Sequence, residues 1–306
     1  MTPATIILMV RPASFGYNAE TAANNFFQRN SSHDLSQVNK LAVKEFDNMV
    51  SILRGNSIEV LVIDDDVMPR KPDAVFPNNW ISTSPEGVIS VFPMYAANRR
   101  TEKRDDIIQQ VASEFEVTEL QDWTEYEAEG RFLEGTGSVI IDHDSKLMYA
   151  CLSERTSLSL LEKYAARNKF QAIVFLATDK NNKPVYHTNV VMSLGDEFCV
   201  LCEEAIEEEW ELIAVRQLLE STGHVIIPIT RDQMHRFAGN MLQLQNKTGE
   251  KFIVLSAAAF TALSAGQKRL LAAYGDLLPI AIPTIEMEGG SVRCMMTEIF
   301  LKKKSK

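Results

Sequence analysis

Four side chains at near-equal intervals supply the parts of a covalent catalyst. Glu134, His187, Asn240 and Cys294 follow one another at steps of 53, 53 and 54 residues. A thiol is a strong nucleophile once ionised, and an imidazole can pass a proton to a leaving group and take one from water. A carboxylate can orient that imidazole or grip a substrate. Taken singly, each residue has an ordinary reading. Free cysteine is common packing material, an internal histidine is often a structural hydrogen-bonding group, and Glu134 before Gly135 could face solvent. The shared interval argues for reading them together, as side chains delivered to one place by a repeated unit.

The repeat is visible around them. The segments "FPNNWIST", "EGTGSVII", "YHTNVVMS", "FAGNMLQL" and "EGGSVRCM" each join a small or amide residue to a strand-like run. Within them Asn79, Gly137, Asn189, Asn240 and Ser291 recur at steps of 58, 52, 51 and 51. After each of the first four comes a second apolar run: "GVISVFPM", "KLMYACLS", "FCVLCEEA" and "FIVLSAAA". Helical stretches follow at about 101–113, 156–168, 206–221 and 261–274, and then third strands in "FEVTEL", "FQAIVFLAT", "HVIIPIT" and "LLPIAIP". In the third helix Ile206, Trp210, Ile213, Leu218 and Leu219 form an apolar stripe of helical spacing.

The fifth motif reaches the C-terminus before its own second strand. The N-terminus offers the missing parts: "TIILMVRP", a helix near 35–54 and "IEVLVI" at 58–63. The expected fold is α/β: a pseudo-fivefold propeller of five strand–strand–helix–strand units in one domain over 1–306. The sheets are mixed or antiparallel, helices lie outside, and the N-terminal strand closes the ring and hides the sheet edges. A doubly wound sheet with accidental spacing is the alternative. Equivalent ends of the motif strands then face one central cavity. They bring Asp73 with Asn78 and Asn79, Glu134, His187 with Asn189, Asn240, and Cys294. The other histidines carry less: His143 lies in a turn, His33 leads a helix and His224 starts a strand. His235 lies near the cavity mouth.

Composition narrows the partners. The 306 residues are 45% apolar and 24% charged, with 41 acidic against 31 basic side chains and a formal charge of −10. That balance argues against nucleic acid and anionic membranes, which reward a basic face. No apolar run approaches the roughly 20 residues of a membrane span. "MTPATIILMVRP" lacks a basic leader and reads as a first strand rather than a signal peptide. The tail "KKKSK" reads as a solubilising end. Four cysteines are too few for a disulfide scaffold, so a reducing, cytoplasmic setting is expected. Cys199 and Cys202 spell CxxC, but no second ligand pair accompanies them and no metal or organic cofactor is expected.

The motifs "MVRPASFGYNAETAANNFF", "PDAVFPNNW", "LEGTGSVIID", "ACLSERTS", "YHTNVVMS" and "GGSVRCMMTE" together resemble the guanidine-modifying, amidinotransferase-like superfamily over nearly the whole chain. Its members include arginine deiminases, dimethylarginine hydrolases and amidinotransferases, all five-unit α/β propellers. Among them the chain looks most like the citrulline-utilisation hydrolases. The resemblance implies Cys294 as nucleophile, His187 as acid/base, Glu134 as active-site carboxylate and Asp73 as a substrate-binding aspartate. Arginine deiminases carry an aspartate two residues after the catalytic histidine; here that position is Asn189. An amide matches a neutral ureido group better than a cationic guanidinium.

The expected reaction is therefore cysteine-dependent hydrolysis of a ureido amino acid, citrulline to ornithine, ammonia and carbon dioxide. Its alternatives are an arginine or methylarginine hydrolase producing citrulline, an amidinotransferase, or a non-catalytic ring-shaped binding protein. A protonated His187 or the charge of the bound state would lower the Cys294 pKa. Glu134 would contact the substrate nitrogens and orient His187. Arg11 and Arg155 are candidates for the substrate carboxylate. Arg293 adjoins the nucleophile, but strand alternation points it away. The long connection 12–33 is a candidate substrate-covering loop, with Phe15, Asn18 and Asn24 as contacts. A homo-oligomer is compatible with the sequence.

Overall fold

The structure is a computed structural model describing residues 2–28 and 34–305; His33 and the end of the 12–33 segment lie outside the described residues. The chain opens with β1 (Ile6–Arg11), the one-turn helix α1 (Ala19–Ala22), α2 (Leu35–Gly55) and β2 (Glu59–Asp64). Next come β3 (Ile81–Thr83), β4 (Val88–Val91), α3 (Asp105–Glu114) and β5 (Glu119–Asp122). The following unit holds α4 (Gly135–Ser138), β6 (Val139–Asp142), β7 (Leu147–Cys151), α5 (Leu158–Asn168) and β8 (Gln171–Phe175). It leads to α6 (Thr188–Val191), β9 (Met192–Leu194), β10 (Phe198–Leu201), α7 (Glu209–Ser221) and β11 (Val225–Pro228). The chain ends with α8 (Arg231–Met234), β12 (Leu242–Gln245), β13 (Lys251–Ser256), α9 (Ala257–Ala262), α10 (Ala265–Ala272), β14 (Asp276–Ile280), α11 (Pro283–Glu286) and β15 (Thr297–Glu298).

These strands make five three-stranded sheets of one design. In β3-β4-β5, β6-β7-β8, β9-β10-β11 and β12-β13-β14 the first pair is antiparallel and the second parallel. A short turn joins an antiparallel pair, whereas a parallel neighbour needs a crossover, and that is the helix of each unit. In the fifth sheet β15 pairs antiparallel with β1 at Ile7↔Glu298 and Leu8↔Thr297, and β1 runs parallel to β2 from Ile6↔Glu59 to Arg11↔Asp64. The two ends of the chain thus complete one unit, and the ring closes as the repeat predicts. The first strand of each sheet is innermost: β15 lies against β3, β6 against β9 and β9 against β12.

Burial follows from that layering. Strands β7 ("LMYAC") and β10 ("FCVL") are buried throughout, while β11 and β14 alternate toward solvent. Helix α2 shows the outer layer's logic: Asp34 caps its N-terminus by accepting from Gln37 N–H, and Val38, Ala42, Phe46, Met49, Val50 and Leu53 form its inner face. Phe46 is fully buried, so Phe46→Ala is expected to cost about 3–5 kcal/mol. Cys199 and Cys202 pack in the core between the middle units, and burial raises both thiols.

Three details depart from the sequence reading. The motif residues stand on single helical turns preceding the inner strands, at 77–79, 135–138, 188–191 and 292–295, rather than on the strands themselves. The helical stretch expected at 261–274 is two helices, because Ser264 starts a new one through reciprocal bonds with Gln267. The lysine tail is not a loose end: Phe115 bridges Lys303, Lys304 N–H donates to Glu114, and Lys303 pairs with Glu59. Among the described residues no helix is long and apolar enough to cross a membrane.

Candidate active site

The turn 292–295 aims Cys294 and Arg293 in different directions. Cys294 is 4% exposed and lines a narrow cavity with Asp73, Arg99, Arg155, His187 and Glu288. Arg293 turns to the opposite side, where it donates to Met296 O at 2.9 Å and pairs with Glu298 at 2.7 Å. It faces a separate cavity shared with Ser193 and Glu298. Its structural assignment stands, though a 3₁₀ turn rather than strand alternation separates the two side chains. Gly289, at φ +79°, begins the approach to this turn, and a side chain there would run into Asn25.

The expected partners converge on the thiol. Asn189 Nδ2 and Asn240 Nδ2 each lie 3.5 Å from Cys294 Sγ and donate to it. Asn240 also donates to Asn189 O at 2.8 Å and accepts from Arg293 N–H at 3.0 Å, locking the turn. His187 precedes α6 in extended backbone and shares the cavity with Cys294. Its Nε2 lies 2.8 Å from Glu134 Oε2. Its ring rests on Gly137, where a Cβ would sit 2.8 Å from Cε1 and Nδ1.

Glu134 lies behind the imidazole rather than on the cavity wall. It is fully buried, accepts from Tyr95 N–H at 3.0 Å, and has Arg155 Nη1 at 3.5 Å. Burial opposes its ionisation, but Arg155, the bond from His187 and Arg99 outweigh it and bring its pKa to about 2. Burial takes His187 down to about 4 despite the pull of Glu134. The resting imidazole is therefore neutral, with Nε2–H donating to the carboxylate. The protonated His187 expected beside the thiol is not the form that burial favours in the free site.

Asp73 lines the cavity and is bound by Asn18 Nδ2 at 2.7 Å, with Arg99 Nε at 3.7 Å. Arg155 also lines it, held by Asn24 Oδ1 at 2.9 Å and Thr21 O at 3.1 Å. Asn18 and Asn24 thus support the walls from the 12–28 segment. Asn78 does not reach the cavity: it donates to Thr136 Oγ1 and accepts from Asn79, which does line it. Phe15 is buried against α2 instead. Arg11 is not at the site either, because Asp47 on α2 takes its guanidinium through bonds of 2.7 and 2.8 Å. His235 packs against Phe27 with ring centroids 4.8 Å apart and planes tilted by 52°.

Arg99 and Glu288 are among the wall residues that escaped the sequence reading. Arg99 bonds Glu102 at 2.8 Å and Asn79 Oδ1 at 2.8 Å. Glu288 stands immediately before the Gly pair that leads to Cys294, and that adjacency was its available signal. Burial raises both Glu102 and Glu288 to about 7. The shell thus sets four carboxyl groups (Asp73, Glu102, Glu134, Glu288), two of them partly protonated near neutral pH, against two guanidiniums (Arg99, Arg155) and a neutral imidazole.

The five-unit ring, together with the family match that follows, places the chain in the guanidino-group-modifying superfamily, and its class is that of a hydrolase acting on carbon–nitrogen bonds of guanidino or ureido groups. The family model described as N,N dimethylarginine dimethylhydrolase, eukaryotic, matches residues 11–301, and the chain belongs to that family. No curated protein sequence matches it significantly. Among solved structures it is similar to the substrate-bound N-terminal domain of ArgZ, an arginine dihydrolase from the ornithine-ammonia cycle in cyanobacteria. The identity is 15% and the TM-score 0.74, over 97% of this chain and 99% of that one. It spans 40% of full-length ArgZ, at 14% identity and a TM-score of 0.73. A dimethylarginine dimethylaminohydrolase adduct with S-methyl-L-thiocitrulline is 14% identical with a TM-score of 0.65, over 97% and 100% of the two chains.

The family overturns the expectation of citrulline as the substrate. The argument from Asn189 fails on geometry, because its amide is turned to Cys294 Sγ.

Proposed function

We propose that the protein hydrolyses arginine or an N-methylated arginine at the guanidino carbon, leaving citrulline and ammonia or a methylamine. The excess of carboxyl groups over cations around the cavity carries this reading: a guanidinium favours their ionised form and a neutral urea does not. The family's dimethylarginine chemistry and the arginine-processing relative support the same substrate class.

The arriving guanidinium supplies the positive charge that the neutral imidazole lacks. His187 takes the thiol proton, and the Cys294 thiolate attacks the guanidino carbon with help from the Asn189 and Asn240 amides. His187 returns the proton to the departing nitrogen, leaving a carbon–sulfur bond to the enzyme. It then accepts a proton from the water that attacks the same carbon, and collapse expels the thiolate. The sum for arginine is one water consumed, with citrulline and ammonium formed. Glu134 acts by holding the imidazole, Asp73 by holding the substrate's positive end, and Arg155 or Arg99 by meeting its carboxylate. The four buried free cysteines fit a reducing, cytoplasmic setting.

The test is to incubate the protein with arginine, monomethylarginine and asymmetric dimethylarginine, and to resolve citrulline and the released amine. Citrulline from at least one substrate, absent with Cys294→Ala, is the expected result. No citrulline from any of the three overturns the reading.

A further inference from the structure

Arg293 and Glu298 form a buried ion pair at 2.7 Å on the far side of the nucleophile turn. The same guanidinium donates to Met296 O at 2.9 Å, so one planar fork ties the end of the turn to β15. Among the described residues Arg293 is the one cation within ion-pair distance of Glu298, and Glu298 Oε1 has no hydrogen-bond partner there. The guanidinium therefore orients the carboxylate, and the carboxylate anchors the guanidinium. Desolvation costs such a pair much of what its attraction supplies, so stability alone accounts for it poorly. What the pair connects accounts for it better.

The two ends of Arg293 reach different units of the ring. Its backbone N–H donates to Asn240 Oδ1 at 3.0 Å, and the same amide donates through Nδ2 to Cys294 Sγ at 3.5 Å. Its side chain goes to Glu298, whose own place is set from two sides. Glu298 is in register with Ile7 of β1, and its carbonyl accepts from Thr83 Oγ1 of β3 at 3.0 Å. Beside that register the Ile299 N–H donates to Ile6 O at 2.9 Å. Within the turn the bonds are local: Cys294 N–H to Ser291 O at 3.0 Å and Met296 N–H to Arg293 O at 3.3 Å. Local bonds shape the turn but do not stop it rotating as a whole. Asn240 holds it in front and Glu298 behind. Rotation would carry Sγ away from the Asn189 and Asn240 amides, and a misplacement of about 1 Å can cost roughly 10²-fold in rate.

We propose that Arg293 is a positioning residue for Cys294, latched through Glu298 to the strand pair that joins the two ends of the chain. Closure of the ring thereby sets the direction of the nucleophile: β1, at the start of the chain, fixes a thiol near its end. The proposal rests on Cys294 being the attacking group of the hydrolysis above. Neither Arg293 nor Glu298 lines the substrate cavity, so the latch acts on the rate of attack and not on binding.

Glu298→Gln keeps the shape and removes the charge, whereas Arg293→Lys keeps a charge that cannot reach Met296 O and Glu298 together. Both variants and the double variant are compared with wild type below the onset of their melting curves. Steady-state kinetics are measured on whichever arginine the wild type hydrolyses best. The rate of Cys294 alkylation by iodoacetamide, read by mass spectrometry, is measured with no substrate present. Each single variant should lose about 10–100-fold in turnover number with KM within about threefold. Its alkylation rate should fall by at least about fivefold. The double variant should stay within about twofold of the more damaged single one, because both changes break one contact. A pair that serves only stability would lower the melting temperature and leave both rates unchanged. Rates within twofold of wild type in both single variants, a loss confined to KM, or losses that multiply in the double variant overturn the proposal. If Glu298→Gln does not melt cooperatively, Glu298→Asp, which draws the charge back by one methylene, takes its place with the same expected signs. If the wild type hydrolyses no arginine, the functional reading falls and the alkylation rates decide the latch alone.

Discussion

Glu134 and His187 lie 53 residues apart in the chain and meet at 2.8 Å. The interval that separates them in sequence is the interval of the repeat, so neighbouring units present equivalent turns to one another across the axis. The carboxylate has no exposure, and its other contacts are the Tyr95 N–H and the Arg155 guanidinium. It can fix the imidazole only as an anion.

Glu134→Gln keeps the shape and an acceptor for Tyr95, but it removes the charge that sets the His187 proton on Nε2. The turnover number should fall by roughly 10²–10⁴ with a smaller change in KM. Arg155 would lose its buried counter-ion, so the melting temperature should also drop, an uncompensated buried charge costing about 3–5 kcal/mol. Steady-state kinetics and a thermal melt read both effects. A lowered melting temperature with unchanged turnover would restrict Glu134 to a structural part.

The periodic part of the site was legible because a repeated unit writes its geometry as spacing. Cys294, His187, Glu134 and Asn240 all sit on or beside the turn that enters an inner strand, so one phase locates them together. Arg99 comes from the irregular 97–102 turn, and Asn25, which also lines the cavity, comes from the 12–28 segment. Both lie outside the turns that enter the inner strands, and periodicity cannot find such residues. Arg11 misled for the opposite reason. It ends a strand of the correct phase, but Asp47 on the outer helix captures its guanidinium. Asn189 was located correctly and misread chemically, since which atom its amide faces depends on the fold of the turn.

Arg11→Ala is therefore expected to leave KM and turnover within about twofold of wild type. Its pair with Asp47 is substantially exposed, with side-chain exposures of 37% and 50%, so the stability change should stay below about 1 kcal/mol. A KM raised tenfold would return Arg11 to the substrate.

The Asn189 amide donates to the nucleophile, and its Oδ1 has no hydrogen-bond partner among the described residues. Asn189→Asp replaces a donor by an anion about 3.5 Å from Sγ, which disfavours the thiolate. The rate of Cys294 alkylation by iodoacetamide, followed against pH, should shift its midpoint upward in this variant. Asn189→Ala should shift it in the same direction by less. An unmoved midpoint in both variants would show that the 3.5 Å contact does not tune the thiol.

Glu102 and Glu288 give binding a pH dependence whose sign can be worked out. Burial raises each from 4.5 to about 7, so between these values the free folded protein holds protons that the unfolded chain has released. Their contribution to stability therefore falls as pH rises through that window. A bound guanidinium amino acid favours both carboxylates in ionised form, so its arrival expels the protons they retain. Glu134, at about 2, and His187, at about 4, have already reached their neutral-pH states over most of the window and take little part. Arginine affinity for Cys294→Ala protein should rise from pH 5 to about 7 and then level. Titrations near pH 6 in buffers of different ionisation heat should show net proton release. Affinity that is flat over this range, with no proton released, would mean that the two carboxylates are already ionised in the free site and that their charge is balanced without the substrate.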